Sequence, residues 1–253
     1  LFYFMLLKIT TAFFLFVGLS IGVFAKDNKA QDLLVVASEH PLLQYQENGE
    51  NKGPTIEILN GLLKETPLRS RVSFMPWARA FATVKHNPNT LILSMIRTPD
   101  REPYFHWLIK VSQSARVFIS LASKPENYVD NFEQAKNKLI AVRLGSAAHK
   151  ELLSHGFSEH NNLYIVSSDE QMIHLLANGR IDLVYTDPNN VLKHLESSGN
   201  ANIAISHKKI VLKDQRISYI ALNKNTDIAI VQQLQNAARK FEKTAEYRYL
   251  LAK

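Results

Sequence analysis

The chain has 253 residues, 30 Lys and Arg against 23 Asp and Glu, a formal net charge of +7, and no cysteine. The missing cysteine excludes disulfides, thiolate metal sites and cysteine nucleophiles. The basic residues are dispersed, with no Lys/Arg-rich block and no aromatic-interleaved basic stripe, so the composition argues against nucleic-acid binding and suits a soluble protein that meets anionic ligands or surfaces. The length accommodates one large domain or two modest ones.

The first residues read as a targeting segment. Lys8 supplies a positive n-region, and Ile9 to Ala25 is uncharged and rich in Phe, Leu and Val. Val23-Phe24-Ala25 is a small-x-small-like cleavage signal, followed at once by polar Lys26-Asp27-Asn28-Lys29. Met5 reads as the start, residues 1–25 as a signal peptide, and the mature chain as free in an exported compartment. The alternative is an uncleaved membrane anchor.

Leu33 to Ala37, LLVVA, is a short buried strand ended by Ser38-Glu39-His40-Pro41. A loop with Tyr45, Gly49 and Gly53 leads to Pro54, which starts a helix where its missing N–H does no harm. Arg71 to Met75 is a second strand, and Ala78 to Lys85 a second helix. Thr90 to Trp107 opens as the apolar run Leu91-Ile92-Leu93 and turns polar at Arg97-Thr98-Pro99-Asp100-Arg101-Glu102. Pro99 should end this strand, because it cannot donate to a ladder and holds Thr98 extended. Arg97 and Arg101 then sit at the C-terminal end of a buried strand, where open α/β sheets bind ligands. Their guanidinium forks suit a bidentate grip on a carboxylate. The alternative is a surface turn with two solvated arginines.

Val111 to Leu121 is another strand-like run, and Phe132 to Lys138 is helical. Leu139 to Arg143 is a strand, and Gly145-Ser146 opens a helix through Leu153. That turn could present free N–H groups to an anion, or cap the helix and nothing more. Leu163 to Val166 is a strand, and Ser168-Asp169-Glu170-Gln171 is a capping sequence before the helix Met172 to Ala177. Gly179 reads as its left-handed cap. Ile181 to Tyr185 is a strand stopped by Thr186-Asp187-Pro188, and Asn190 to Glu196 a helix. Ile203 to Ile205 and Ile217 to Leu222 are strands, and Ile228 to Leu251 is one long amphipathic helix or two. Alternating strands and helices predict an α/β protein with largely parallel sheets, in two series that divide near Val111.

No catalytic motif is present: no G-x-S-x-G, H-E-x-x-H or Walker loop. His149 and His155 read as surface helix residues rather than metal ligands. Glu39 is either a buried acid or a loop capper, and Trp77 with Arg79 either a stacking platform or core plus a surface ion pair. Taken together, strand ends deliver Glu39, Trp77, Arg97 and Arg101 from the first half, and Arg143, Gly145-Ser146 and Asp187 from the second. Opposite charges at two sheet mouths would suit a zwitterion between them.

These segments resemble the bacterial periplasmic solute-binding proteins of the amino-acid type (family 3) over nearly the whole mature chain. Leu33 to Pro41 resembles the family's first strand and binding loop. Thr98-Pro99-Asp100-Arg101, followed by Phe105, resembles its T-x-x-R motif, and Leu139 to Ser146 its second-lobe strand and G-[ST] turn. Gly179-Arg180-Ile181-Asp182-Leu183 with Asp187 resembles its G-R-x-D-A…D segment, and Ser218 to Leu222 its return strand. Pro76 to Ala80 and Arg97 to Glu102 resemble a proteobacterial subgroup. Two departures bear on the ligand class: His86-Asn87-Pro88-Asn89 replaces the usual G-x-x-D, and Ile96 stands where many members carry a hydroxyl.

The resemblance implies a two-lobed periplasmic-binding-protein (type II) α/β fold. Residues 26–112 plus 218–253 would form lobe 1 and 113–217 lobe 2, joined by two hinge crossings. It implies that Arg101 grips a ligand carboxylate, Asp187 receives an amine, and Ser146 aids the carboxylate. Arg143, Glu39, Ser94, Tyr45, Trp77, Arg79 and Arg97 complete the expected binding set. It further implies a periplasmic monomer that passes a small molecule to an inner-membrane ABC permease, with no cofactor, no metal and no nucleic acid. Two alternatives share the scaffold: a cyclohexadienyl dehydratase-like enzyme using Glu39 and Arg101, and a ligand-sensing subunit for a membrane receptor.

Overall fold

The structure is a computed structural model describing residues 32–209 and 215–252; the expected signal peptide lies outside them. Strand β1 (Asp32–Ala37) buries Leu33, Val35 and Ala37 in one apolar cluster and Val36 in another, the alternation of a strand covered on both faces. It runs parallel to β4 (Arg69–Phe74) on one side and β5 (Thr90–Ile96) on the other. Helices α1 (Pro54–Lys64) and α2 (Trp77–His86) make the crossovers. Strands β6 (Phe105–Ala115) and β12 (Gln215–Asn223) complete a sheet of order β4-β1-β5-β12-β6, with β12 antiparallel to both neighbours.

The second sheet has the order β11-β7-β10-β8-β9. Its strands are β7 (Val117–Leu121), β8 (Ile140–Arg143), β9 (Leu163–Val166), β10 (Leu183–Thr186) and β11 (Ile205–His207). Strands β10, β8 and β9 are parallel, while β7 is antiparallel to β10 and β11. Helices α4 (Ala147–Ser154), α5 (Asp169–Ala177) and α6 (Pro188–Ser197) cover it, with short α3 (Phe132–Ala135) before β8. The two sheets with flanking helices form the two-lobed α/β architecture expected.

Two local expectations are corrected, and one left open is decided. The stretch Val111 to Leu121 is not one strand: β6 begins at Phe105 and β7 belongs to the other sheet, with Arg116 alone between them. Chain passing directly from sheet to sheet leaves no turn signal to read. The loop around Gly49 is a hairpin of β2 (Tyr45–Glu47) and β3 (Glu50–Lys52). Asn48 (φ 52°) and Gly49 (φ 79°) make its turn, the Asn-Gly pair that a two-residue hairpin favours. Of the two readings of the C-terminal amphipathic run, the structure has the second: two helices, α7 (Ile228–Phe241) and α8 (Ala245–Ala252).

Helix α7 buries Ile230, Val231, Leu234, Ala237, Ala238 and Phe241 in the main core of the first lobe, with Ile58, Leu59 and Leu62 of α1. Gly61 lets the helices approach: a Cβ there would lie 2.2 Å from a carbon of the Phe241 ring. We expect Gly61→Val to destabilise the fold by about 1–3 kcal/mol through overpacking, although valine favours helix over glycine. Thermal unfolding should show Tm falling by roughly 2–12 °C. An unchanged Tm would mean the Phe241 ring swings aside without loss.

Candidate functional site

The C-terminal ends of β1, β5, β8 and β10 open onto one cleft between the sheets. It is lined by Ser38 and His40 after β1, Ser94 and Ile96 on β5, Arg143 on β8, and Tyr185, Thr186 and Asp187 at the end of β10. Trp77 at the start of α2 and Ser146 before α4 close its sides, and the cavity measures about 110 Å³.

Arg101 enters from a 3-10 turn (Pro99–Tyr104) that follows β5 and is 1% exposed. Its Nη1 donates to the Ile96 carbonyl at 2.7 Å, and its Cζ lies 5.4 Å from the Trp77 ring centre and 5.2 Å from that of Phe81. Burial pushes the guanidinium down to about 10, with Asp100 opposing and Arg116 and Arg143 adding to the fall. It therefore stays charged at neutral pH. Nε and Nη2, which form one edge of the guanidinium fork, are buried and meet no hydrogen-bond partner among the described residues. A buried donor left unmet is costly, so this edge favours a ligand acceptor.

Ser94 has φ 52°, a left-handed conformation rare outside glycine. The pairing of β5 with β12 steps from Ala221↔Ile92 to Tyr219↔Met95, so Leu93 and Ser94 together oppose Ile220. This bulge re-aims the strand beside the cleft. The Ser94 hydroxyl donates to Gln44 Oε1 at 2.6 Å and lies 3.1 Å from Thr55 Oγ1. Backbone strain of this kind persists where surrounding contacts hold it.

In the second lobe Ser146 caps α4, accepting from His149 N at 3.0 Å. His149 is buried, not on the surface as its helix position suggested: its Nδ1 accepts from Gly145 N at 3.2 Å. Arg143 Nη1 is 3.3 Å from Asp169 Oδ2, which also accepts from Asn190 Nδ2 at 3.2 Å. Burial raises the Asp169 pKa, but Arg143, His40 and His194 outweigh that and hold it below the usual aspartate value. Asp187 caps α6, Oδ1 accepting from Asn189 N at 2.8 Å, while Oδ2 accepts from Ala115 N at 2.7 Å.

The lobes touch across the cleft. Trp77 Nε1 donates to the Gly145 carbonyl at 3.1 Å, the Arg143 Cζ sits 5.5 Å from the Trp77 ring centre, and Lys150 pairs with Asp100 at 2.5 Å. Glu151 of α4 binds Arg116 at 2.5 Å and Arg216 at 2.9 Å, where the chain passes between sheets.

Of the residues expected from sequence, Arg101, Asp187, Arg143, Ser146, Ser94 and Trp77 line the cleft. Glu39, Tyr45, Arg79 and Arg97 do not. Glu39 is exposed and accepts from Gln46 N at 3.4 Å, so it is not a buried acid. Tyr45 starts β2 and is half-buried away from the cleft. Arg79 is exposed, two residues along α2 from inward-facing Trp77 and hence on another side of the helix. Arg97 is exposed, its Nε and Nη2 forked onto Glu102 at 2.7 and 3.1 Å and its Cζ near the Trp107 and Tyr219 rings. Sequence reading missed His40, Gln44, Arg116, Asp169, Tyr185 and Asn190, which also line the cleft. Asp169 did carry a signal, but a local one: it stands in a helix-start sequence.

No family model matches the chain. In sequence it is similar to the L-cystine-binding protein TcyA of Bacillus subtilis, 22% identical over 218 residues that cover 85% of this chain and 78% of that protein. In structure it is similar to a histidine kinase sensor domain with similarity to periplasmic binding proteins, at TM-score 0.75 and 13% identity, covering 87% of this chain and 95% of that one. An ancestral arginine-binding protein bound to arginine superposes at TM-score 0.72 and 17% identity, covering 87% and 96%. By architecture, and by its likeness in both sequence and structure to solute-binding proteins, the chain has the two-lobed fold of the periplasmic binding proteins.

Proposed function

We propose that the chain captures a small polar solute bearing a carboxylate, an amino acid or a relative, between its lobes for ABC-type import. The observation that carries this is Arg101: a charged, buried guanidinium in the cleft with Nε and Nη2 unmet among the described residues. Asp187 takes the ligand amine, and Ser146 with the first N–H groups of α4 supports the carboxylate. The chain is exported, cleaved after Ala25, and works as a periplasmic monomer that meets an inner-membrane permease. Because Arg101 is in one lobe and Asp187 in the other, a ligand that bridges them binds the closed arrangement better. Such differential affinity shifts a two-state equilibrium, with bending near Arg116 and Gln215. The names of the relatives, a cystine-binding and an arginine-binding protein, support the amino-acid reading. The likeness to a kinase sensor domain supports a second reading, in which the same closed form is presented to a membrane receptor. The dehydratase-like reading loses its nominated acid, since Glu39 is exposed and outside the cleft.

The test is a thermal-shift screen of amino acids, amines and small carboxylates, followed by small-angle scattering. A ligand at 100-fold its Kd adds roughly 2.7 kcal/mol, which for this size raises Tm by roughly 5–10 °C. Carboxylates should give the shifts and lower the radius of gyration on saturation. Shifts from amines alone, or from nothing in the panel, would overturn the reading.

A further inference from the structure

On the second-lobe wall of the cleft, two side chains gather around one oxygen of a third. Asp169 Oδ2 lies 3.3 Å from Arg143 Nη1 and accepts from Asn190 Nδ2 at 3.2 Å. Asp169 and Asn190 are 8% and 2% exposed. The contact orients the Asn190 amide: an ionised carboxylate only accepts, so the amide nitrogen faces it and Oδ1 turns away. Two atoms of this cluster are buried and meet no hydrogen-bond partner among the described residues, the donor Arg143 Nε and the acceptor Asn190 Oδ1. Both residues line the cleft. The charges of Arg143 and Asp169 already balance each other. His40, which lines the cleft from the first lobe, is pushed down to about 4 by burial and adds no charge at neutral pH. Beside that neutral ion pair, the cluster holds one buried unmet donor and one buried unmet acceptor among the described residues.

We propose that Arg143, Asp169 and Asn190 form a subsite for an uncharged polar group that carries an acceptor and a donor together, a primary carboxamide foremost. This rests on the reading that Arg101 holds the ligand carboxylate. A carboxamide oxygen accepts from Arg143 Nε while its nitrogen donates to Asn190 Oδ1. A second carboxylate meets Arg143 but sets an oxygen against Asn190 Oδ1 and adds charge to a neutral pair. An ammonium meets Asn190 but approaches a guanidinium. An aliphatic tail leaves both atoms unmet, and sites with unpaired buried polar groups reject such analogues strongly.

Calorimetry with L-glutamine and L-glutamate, L-asparagine and L-aspartate, L-lysine and L-norleucine tests this, because the six share one head group. The expected result is that one carboxamide binds at least about 10-fold tighter than its acid counterpart, lysine and norleucine. Asn190→Leu should shrink the amide-over-acid gap to less than about threefold. An acid or norleucine that binds as well as the tighter of the two amides overturns the subsite, and this comparison needs no variant to fold. Arg101→Lys separates the two readings. If it weakens every bound ligand and no amide preference exists, the subsite alone has failed. If it weakens none, or none of the six binds, the carboxylate reading has failed and the subsite falls with it.

Discussion

Arg101→Lys is expected to weaken solute binding by about 2–5 kcal/mol, roughly 30- to 4,000-fold, while the protein stays folded. Lysine keeps the positive charge, so the loss isolates geometry. The guanidinium is fixed by the Ile96 carbonyl on one side and by the Trp77 and Phe81 rings, which leaves the Nε–Nη2 edge presented as a plane. An ammonium is a point donor on a flexible stem and cannot offer two parallel N–H groups. It also changes the cation–π contacts that the guanidinium makes with the two rings. Calorimetry on the tightest ligand from the screen checks the affinity, and circular dichroism checks the fold. Wild-type affinity would place the carboxylate elsewhere in the cleft, with Arg143 and Arg116 next to be examined.

Glu151→Ala is expected to cost about 3–5 kcal/mol of stability and lower Tm by roughly 6–20 °C. Arg116 is 7% exposed and Glu151 is the carboxylate that pairs with it; the same carboxylate reaches Arg216. Removing it strands a buried guanidinium. The converse swap clarifies the cause: Glu151→Leu combined with Arg116→Met should recover most of the loss, because a matched apolar pair carries no desolvation penalty. The clasp also has a pH signature. Burial raises the Glu151 pKa, but Arg116 and Arg216 outweigh this and hold it below its ordinary value of 4.5. A carboxylate depressed in the folded state contributes stability that is full above its unfolded pKa and is lost as pH falls through the folded one. The Tm gap between wild type and Glu151→Gln should therefore be widest near neutrality and close on acidification below pH 4.5. A gap that stays constant to pH 3 would assign the effect to packing rather than to charge.

Much of the scaffold was legible because its causes are local. The apolar runs at Leu33 to Ala37, Leu91 to Leu93 and Leu139 to Arg143 read as strands, and β1, β5 and β8 run through them. Pro54 starts α1, Ser146 and Ser168 cap α4 and α5, and Gly179 takes φ 63°, each as its own chemistry requires. The Asn48-Gly49 hairpin had an equally local signal that the loop composition obscured.

The cleft was only half legible, since its residues are chosen by contacts between distant segments. Arg97 and Arg101 stand four residues apart with the same chemistry. The tight turn at Pro99 sends one onto Glu102 at the surface and the other into the cleft beside Trp77 and Phe81. Asp169 looks like an ordinary first-turn acid until β8 and α6 bring Arg143 and Asn190 to the same oxygen. Arg116 carries no signal of its own and becomes a buried cation because two sheets meet around it. Periodicity, caps and breakers act within a few residues, so the sequence by itself determined the elements and their α/β order. Which polar side chains are buried together, and which of their atoms remain unmet, depends on how the lobes pack, and that the tertiary structure decided.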